Sequence, residues 1–409
     1  MWQQLTSIPA LLEALTAVVQ QLTLQSKLSR YAGLDAIQMQ RIIADPVPFL
    51  TQVHERLVHH HPLDPVQVRT IPKGEGKTRT IYLYTLRDRV RAQALSQALS
   101  PVVEATLSPS LYSYRSSHPS HRAARSVVRR YHRHLPGDTL YKTDITEYTE
   151  HLQHDLLLTQ LAALGLEPAV LTALQCYLHV PLWQQGQLRY LSEGVVQGVP
   201  LMALFANLYL SDADHTLSRQ VQLYRRVGDD ILLIDPHPAR VAHAAQWLEA
   251  TTAARGLPIQ PEKTTTGPLH TTAFTYLGYH FSDGILSLSQ KRVVRLQATY
   301  RALCRHYALP QHALLSRLRW RILPAVHQQH LQLIQSAPHV TDLPQLRSLT
   351  RYGQRQLVRA VYGDYSPRLH RHTQALFARH SLPWPSLYRL YLQVHHGHIS
   401  LHHAQSQYY

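Results

Sequence analysis

Two adjacent carboxylates, Asp229 and Asp230, stand between apolar runs in the string from Tyr224 to Ile234. Flanks of this kind predict two strands joined by a Gly-Asp-Asp turn. Because Asp is rarely buried unless it is paired or bound to a metal, carboxylates on a hairpin tip favour a hard divalent cation bound through oxygen. An ordinary Asx-rich hairpin turn is the alternative, and the motif alone leaves both interpretations open.

A third carboxylate, Asp144, lies near the end of a short strand predicted over 139–145. Carboxylates on different strands of one sheet can converge on a pair of metal ions. In two-metal nucleotidyl transfer, one ion activates the attacking hydroxyl and the other holds the triphosphate and the leaving group. Such chemistry requires fixed carboxylates and cations for the triphosphate, and it requires no buried nucleophile.

The elements that must position these carboxylates follow from hydrophobic spacing and turn residues. A helical region over 1–60 precedes a predicted hairpin, whose strands at 66–71 and 78–83 flank a basic, glycine-containing loop. Helices are predicted next, over 87–107, 154–179 with a break near Gly165, 201–217 and 239–255. Strands are predicted on both sides of Asp229 and Asp230, and a second hairpin from 274–281 and 285–288. After 290 the pattern predicts helices and loops.

The composition is that of a globular chain of two or three domains, with 409 residues, 44% of them hydrophobic and 16% charged. No apolar run is long enough to span a bilayer and no basic n-region opens the chain, so we expect neither a membrane span nor a signal peptide. Only Cys176 and Cys304 occur, which favours a reducing cytoplasm. The 29 histidines are scattered and indicate composition bias more than zinc binding.

The formal net charge of +16 is concentrated near the end of the chain. From Lys291 onward there are sixteen Lys and Arg but only two acidic residues, and fifteen of the sixteen are Arg. Arg suits bidentate phosphate contact, so the pattern favours nucleic acid as partner over a membrane surface. Arg317, Arg319 and Arg321 surround Trp320, an aromatic and cationic mixture that suits RNA, although core packing of Trp320 is equally open.

A series of motifs resembles the bacterial reverse transcriptases, in the lineage of group II intron, retron and defence-associated enzymes. The resemblance runs from about Val68 to Ser289. In order, its motifs are Ile71-Pro-Lys-Gly-Glu-Gly-Lys-Thr-Arg-Thr-Ile81, Asp88-Arg-Val-Arg-Ala-Gln-Ala-Leu95, Ser113-Tyr-Arg-Ser-Ser117, Lys142-Thr-Asp-Ile145, Gln197-Gly-Val-Pro-Leu201, Ala206-Asn-Leu-Tyr-Leu210, Val227-Gly-Asp-Asp230, Pro261-Glu-Lys-Thr264 and Tyr276-Leu-Gly-Tyr279. Each motif is weak alone, and their joint order is specific.

The resemblance implies a role for each matching residue. Asp144 and Asp229 would bind two Mg²⁺ ions, with Mn²⁺ as the alternative ion, and Asp230 would help less directly. The Ile145 carbonyl would complete one ion's ligands. Lys263 would be a general acid for the pyrophosphate leaving group.

Other matching positions would bind the substrates. The triphosphate would be held by Lys73, Lys77 and Arg79, and the nucleotide and template pocket would be lined by Tyr148, Thr149, Gln197 and Gly198. Tyr276, Leu277, Gly278 and Tyr279 would form the primer grip, and Arg317, Arg319 and Arg321 would contact nucleic acid.

The chain departs from the family's pattern at three places. Val227 stands where the family has an aromatic residue, and Leu201-Met202-Ala203 replaces the usual Leu-Ser-Pro. Thr149 stands where a bulky aromatic normally excludes ribose 2′-hydroxyls, and Tyr148 is one place earlier. If Tyr148 does not substitute, discrimination between ribo- and deoxyribonucleotides is expected to be poor.

We therefore expect a right-hand polymerase: α/β fingers and palm with an antiparallel palm sheet, then an all-α thumb and C-terminal extension. The expected divisions are 1–62 (N-terminal helical region), 63–135 (fingers), 136–272 (palm), 273–290 (primer-grip hairpin) and 291–409 (basic thumb and extension). The implied function is RNA-directed DNA synthesis from dNTPs, with a dedicated non-coding RNA as template in antiphage defence and with a homo-oligomer or partner protein. The alternatives are a template-independent or protein-primed polymerase and a non-catalytic, maturase-like RNA scaffold.

Overall fold

The structure is a computed structural model that describes residues 1–24, 39–74, 77–133 and 135–400. The side chains of 24, 39–41, 73, 74 and 77 also lie outside the description. The chain divides into two compact units. The first comprises Met1–Ala123 and Pro136–Thr266, and the second comprises Ala124–Leu135 and Gly267–Tyr409.

The described chain begins with helices, a hairpin and two further helices: α1 (Trp2–Leu5), α2 (Ile8–Leu24), α3 (Met39–Ala44), α4 (Val47–Val58), β1 (Val66–Gly74), β2 (Lys77–Leu83), α5 (Leu86–Glu104) and α6 (Ser120–Arg133). Its middle part alternates strands and helices: β3 (Thr139–Asp144), α7 (His154–Ala162), α8 (Pro168–Leu178), β4 (Leu182–Gln184), β5 (Gln187–Arg189), α9 (Leu201–Tyr209), α10 (Ser211–Gln220), β6 (Leu223–Val227), β7 (Asp230–Asp235), α11 (Pro238–Ala254) and β8 (Thr265–Pro268). Short 3₁₀ turns occur at Tyr148–Glu150 and Pro261–Lys263.

The last part is a small sheet followed by helices: β9 (Phe274–Tyr276), β10 (Tyr279–Ser282), β11 (Ile285–Leu288), α12 (Gln290–Leu303), α13 (Gln311–Arg317), a π-helical turn (Leu318–Ile322), α14 (Leu323–Ser336), α15 (Leu343–Tyr362), α16 (Pro367–Arg379) and α17 (Leu387–His395). Among the described residues, none of these helices combines the length and apolarity needed to cross a bilayer.

The sheet that carries the predicted carboxylates has the strand order β6-β7-β3-β8. Its central strand β7 is buried throughout Ile231–Ile234, as expected for a strand covered on both faces. Helix α11 packs against β7 and β3, while α2 and α9 pack against α5 in the same apolar core. A second sheet of the first unit has the order β2-β1-β4-β5.

The predicted fold class is confirmed, since an antiparallel sheet precedes a C-terminal part that, within the described residues, is entirely helical from Gln290. The division into five domains stays a prediction. Two predicted elements were wrong. The segment 274–281 is two strands, because Leu277 at φ +46° and Gly278 at φ +86° form a two-residue turn between them. The helix predicted over 201–217 is two helices, α9 and α10, because the backbone leaves the helical conformation at Leu210. Helix α6 and the hairpin β4–β5 were not predicted.

Candidate active site

The hairpin β6–β7 turns through two residues, Gly228 and Asp229, since Val227 pairs directly with Asp230. Gly228 has φ +68°, and positive φ at the first turn position is the type II′ pattern of two-residue hairpins. A Cβ at Gly228 would meet no atom within 4 Å, so the backbone conformation and not the space selects glycine here. The turn leaves Asp229 at the tip and Asp230 on the first position of β7.

Strand β3 brings Asp144 to the same place, because Asp144 pairs with Asp230 in the antiparallel register of β3 and β7. One residue later, the Ile145 N–H donates to the Asp229 carbonyl at 3.1 Å. The structure thus brings together Asp144, Ile145, Asp229 and Asp230, which the sequence placed at one site.

Two lysines neutralise part of this carboxylate group. Lys263 Nζ donates to Asp144 Oδ1 at 2.9 Å, and Lys142 Nζ lies 2.8 Å from Asp230 Oδ1. Lys263 reaches the site from a 3₁₀ turn that is anchored to the same strand, since the Gln260 N–H donates to the Asp144 carbonyl at 2.9 Å. Sequence reasoning missed Lys142, although it stands two residues before Asp144 and therefore shares its face of the strand.

The pKa values of the two turn aspartates are raised. Burial is the main cause for Asp229, and the negative charge of Asp144 adds to it. Burial also raises the pKa of Asp230 to about 6, although the Lys142 ammonium opposes the shift. Both shifts mean that the site holds more negative charge than its surroundings stabilise, so a bound cation would be favourable.

The donor set suits a magnesium ion that is shared with a substrate. Among the described residues, no three His, Cys, Asp or Glu side chains are gathered closely enough to form a complete metal cage. Mg²⁺ typically takes only one or two protein carboxylates and fills its remaining positions with water and substrate phosphates. Asp144 and Asp229 meet that requirement, with Lys263 positioned beside the first of them.

A second group of predicted residues lies around the 3₁₀ turn that follows β3. Gln197 Nε2 donates to Thr149 Oγ1 at 3.2 Å, and the Val195 N–H donates to the Thr149 carbonyl at 2.8 Å. The next residue, Gly198, approaches β2 so closely that a Cβ would lie 3.1 Å from the Tyr82 carbonyl oxygen. The structure therefore joins Thr149, Gln197 and Gly198 in one exposed to half-buried patch.

Tyr148 is placed differently from its prediction as a nucleotide-binding residue. Its side chain is buried, and its hydroxyl donates to the Ala206 carbonyl at 2.6 Å, while the Arg226 guanidinium lies 5.9 Å from its ring centre. Burial raises the pKa of this hydroxyl, which stays protonated. This corrects the prediction: Tyr148 supports the fold from the core, because its neighbour Thr149 takes the outward position of the turn.

The Gly-Asp-Asp hairpin packs against a buried ion pair that the sequence analysis did not predict. Arg226 and Asp214 are both fully buried, and the guanidinium contacts the carboxylate twice, at 2.7 and 2.8 Å. The Tyr224 hydroxyl donates to the same carboxylate at 2.6 Å, and Arg226 also donates to the Asn207 carbonyl at 3.1 Å. The sequence held one sign of this pair: Arg226 stands two residues after Tyr224 in a predicted strand, so both side chains lie on the same face.

A loop from the motif 113–117 lies against the other side of β6. The Tyr112 N–H donates to the Arg226 carbonyl at 2.9 Å, the Gly228 N–H donates to Ser113 Oγ, and Asn207 Nδ2 donates to the Ser113 carbonyl at 2.8 Å. The motif containing Ser113 and the motif containing Asn207 thus both hold the Gly-Asp-Asp turn in place.

The remaining predicted residues lie on other elements. Arg79 is exposed on β2 opposite Ile71, whereas the side chains of Lys73 and Lys77 lie outside the described residues. In the second unit, Tyr276 and Tyr279 are buried and only the Leu277-Gly278 turn between them is partly exposed. The two tyrosine side chains are therefore part of the core of this small sheet, and their role as a primer grip stays a prediction.

The three arginines predicted to contact nucleic acid have different surroundings. The Arg317 guanidinium lies 3.8 Å from the ring centre of Tyr307, and Arg319 Nη2 donates to the His380 carbonyl at 2.9 Å. Arg321 is exposed. Trp320 is 74% exposed, so the alternative of core packing was wrong.

Comparison with known proteins gives one family and several relatives. A family profile described as reverse transcriptase (RNA-dependent DNA polymerase) matches residues 71–281, just over half of the chain. Protein YkfC of Escherichia coli K12 is 27% identical over 200 residues, 48% of this chain, and the chain spans about half of that relative's length (52%).

Solved structures with similar folds include telomerases of two yeasts. The Candida albicans telomerase with a fragment of telomeric RNA aligns with 86% of this chain and 67% of its own, at 13% identity and a TM-score of 0.47. The apo telomerase of Candida tropicalis aligns with 77% of this chain and 63% of its own, at 12% identity and a TM-score of 0.48.

Proposed function

The chain belongs to the reverse transcriptase family, and from this premise we propose that it is an RNA-directed DNA polymerase that acts by two-metal nucleotidyl transfer. The observation that carries the proposal is the convergence of Asp144 and Asp229 at the ends of adjacent antiparallel strands. The two carboxylates lie close enough that Asp144 contributes to the raised pKa of Asp229, and a buried ion pair supports the hairpin that carries Asp229. A metal-dependent polymerase requires such closely placed carboxylates in a fixed position.

The residues of the site would share the work of the reaction. Divalent ions, Mg²⁺ or alternatively Mn²⁺, would supply charge stabilisation for the attacking primer hydroxyl and the triphosphate. Asp144 and Asp229 would hold these ions, with the Ile145 carbonyl as a further ligand. Lys263 would exchange its contact with Asp144 for the leaving pyrophosphate and donate a proton to it. Lys142 would remain with Asp230 and keep that carboxylate from repelling the substrate.

Substrate binding in the first unit would involve the hairpin β1–β2 and the segment before α9. Arg79, with Lys73 and Lys77 on the same hairpin, would bind the triphosphate, and Gln197 with Gly198 would line the base and template side. The exposed turn Leu277-Gly278 would contact the primer, and Arg319 and Arg321 would contact the nucleic-acid backbone. The basic segment from Lys291 onward supports binding of nucleic acid, which in this proposal is the RNA template and the DNA product.

We further propose a dedicated non-coding RNA as template, and a role in antiphage defence in the cytoplasm, with a homo-oligomer or partner protein. This step is supported by the resemblance of the motif series to the retron-like lineage and, for the compartment, by Cys176 and Cys304, which are both free thiols. The dedicated template is tested by purifying the full chain with its co-expressed nucleic acid and then supplying Mg²⁺ and dNTPs. One enriched RNA and a complementary DNA product are expected. A random RNA population would contradict a dedicated template.

A second candidate function is a polymerase that tolerates ribonucleotides or works without a template. The observation that favours it is Thr149, a small side chain tied to Gln197 where the family has a bulky aromatic, together with the inward placement of Tyr148. Supplying rNTPs in place of dNTPs tests it. Equal incorporation of both would support this candidate, and strict use of dNTPs would exclude ribonucleotide tolerance.

A further inference from the structure

Trp320 has the highest exposure of any large apolar side chain among the described residues, at 74%. A single exposed aromatic on a protein surface is ordinary and by itself indicates nothing. Its local backbone is not ordinary, however. The helical stretch that runs from α13 into α14 contains one π-helical turn, Leu318–Ile322, with Trp320 at its centre. Such turns are rare and occur frequently at functional sites.

The sequence explains why the helix widens at this point. Pro324 has no N–H to donate to the carbonyl of residue 320, and its ring would clash with that carbonyl in a regular α-helix. A wider turn relieves the clash. Leu318 and Ile322 are buried at the two ends of the turn, so the three residues between them, Arg319, Trp320 and Arg321, all face solvent.

The residues on both sides of Trp320 in the sequence are cationic. Arg319 is fixed by its bond to the His380 carbonyl at 2.9 Å, and Arg317 is stacked 3.8 Å from the Tyr307 ring centre. An aromatic face between guanidinium groups combines base stacking with phosphate contact, which is how proteins bind unpaired nucleotides. A membrane would need a wider apolar face than one Trp between two Arg. From Lys291 onward there are sixteen basic residues and two acidic ones, and this excess of positive charge favours a polyanion over a protein partner.

We propose that Trp320 is a stacking platform for an unpaired base of single-stranded RNA, with Arg319 and Arg321 contacting the adjacent phosphates. The proposal rests on the proposed function only in taking RNA as the partner. It adds a site that selects unpaired over duplex RNA. In an A-form duplex the bases are already stacked on each other, so the platform has nothing to bind.

The proposal is tested by measuring equilibrium binding of RNA in the absence of dNTPs and rNTPs. The probe is a fluorescein-labelled oligo(A) RNA of about 12 nucleotides, within the usual footprint of single-strand sites. Trp320→Ala in the full chain is expected to weaken binding by roughly 5- to 100-fold, the range for loss of one base–aromatic stack. Trp320→Phe should keep most of the affinity, and binding of a blunt RNA duplex of equal length should change less than about twofold.

Trp183→Ala is the matched control, because Trp183 is also exposed but belongs to strand β4 of the first unit and not to the basic segment. Unchanged binding of oligo(A) by Trp320→Ala would overturn the proposal, as would an equal loss on duplex and single strand. A change in sedimentation with RNA affinity intact would assign Trp320 to a protein interface instead. Because no dNTP or rNTP is added, the binding result does not depend on whether the chain has polymerase activity. A wild-type chain that binds no RNA would contradict both this proposal and the proposed function.

Discussion

At the scale of single residues, the site combines raised carboxylate pKa values with nearby cations that can be exchanged. Asp229 is exposed at the tip of the hairpin, whereas Asp230 and Asp144 are half-buried. Lys263 is more exposed than its partner Asp144, with 52% against 16% side-chain exposure. An exposed lysine paired with a less exposed carboxylate can leave at little cost, because surface ion pairs contribute roughly 0–1 kcal/mol. Lys263 can therefore move from the carboxylate to a phosphate when a substrate binds.

Asp229→Asn is expected to reduce nucleotide incorporation by at least about a hundredfold, because a bound divalent ion contributes several kcal/mol of transition-state stabilisation. The thermal unfolding midpoint should stay equal or rise, because the substitution removes a charge that burial disfavours. Primer extension and thermal unfolding measure the two effects. Asp155→Asn, an exposed aspartate on α7, is the control. Undiminished incorporation by Asp229→Asn would leave the site without its proposed chemistry.

Thr149→Phe is expected to lower ribonucleotide incorporation by about tenfold or more relative to deoxyribonucleotide incorporation, since a bulky ring would occupy the space of a 2′-hydroxyl. The ratio of kcat/KM for a matched dNTP and rNTP measures this effect. Gln197 loses its hydrogen bond to Thr149 in this variant, so Thr149→Val serves as the control for that loss alone. An unchanged ratio in Thr149→Phe would place Thr149 away from the sugar.

At the scale of elements, the Gly-Asp-Asp hairpin is fixed from three directions. Strand β3 sets its register, the loop containing Ser113 bonds to its turn, and the pair Arg226–Asp214 fills the space beneath it. A buried ion pair contributes little net stability compared with apolar residues, but removing one partner leaves an uncompensated charge. The pair therefore specifies the position of the hairpin more than it stabilises the fold.

Arg226→Met is expected to lower the free energy of unfolding by about 3–5 kcal/mol, because Asp214 would remain buried without its partner. Denaturant unfolding measures the change. Arg219→Met, on the exposed face of α10, should stay within about 0.5 kcal/mol of the wild type. The double variant Arg226→Met, Asp214→Leu should recover part of the loss. A single variant as stable as the control would show that the pair does not support the hairpin.

His330, one of two buried histidines of α14, makes the stability of the second unit depend on pH. Burial lowers the pKa of His330 to about 3, with a smaller contribution from His327, whereas an unfolded histidine titrates near 6.5. Between these values the unfolded chain binds a proton that the folded chain does not. The contribution of His330 to the free energy of unfolding is therefore fully present above about pH 6.5. It falls on acidification, by up to about 1.4 kcal/mol per pH unit.

His330→Phe is expected to flatten this part of the stability profile while keeping a ring against Tyr300. Denaturant unfolding between about pH 4 and 7 measures the slope. His312→Phe, at an exposed position of α13, should leave the slope as in the wild type. A slope equal in His330→Phe and wild type would assign the acid sensitivity to other groups.

Sequence patterns predicted the elements around the carboxylates well, and for a physical reason. The apolar residues on both sides of the Gly-Asp-Asp turn, above all the run in β7, are local signals, and the turn itself needs glycine. The motif series also predicted a reverse transcriptase with a right-hand polymerase fold, which the family match over 71–281 confirms. What could not be predicted depends on contacts between distant segments. Asp214 was hidden within a polar helix, and the inward position of Tyr148 depends on the Ala206 carbonyl.

At the scale of the whole molecule, charge is segregated along the chain. The carboxylates of the candidate site belong to the first unit, and the arginine-rich segment after Lys291 belongs to the second. Neutralising phosphates releases condensed counterions, so affinity for a polyanion carried by such a segment depends steeply on salt.

The logarithm of the association constant for RNA is accordingly expected to fall linearly with the logarithm of the salt concentration. The slope should decrease by about 0.7 for each phosphate contact removed from a single strand. Arg321→Gln should show one such step, and Arg240→Gln, an exposed arginine of α11 in the first unit, should show none. Titrations at several salt concentrations measure the slopes. Equal slopes for Arg321→Gln and the wild type would remove Arg321 from the nucleic-acid surface.

We propose that this chain copies RNA into DNA at the site built by Asp144 and Asp229. The most direct test supplies a defined RNA template with an annealed primer, Mg²⁺ and dNTPs, and sequences the product of the wild type and of Asp229→Asn. We predict DNA complementary to the template from the wild type and none from the variant. A product unrelated to the template, or equal synthesis by both proteins, would contradict the account.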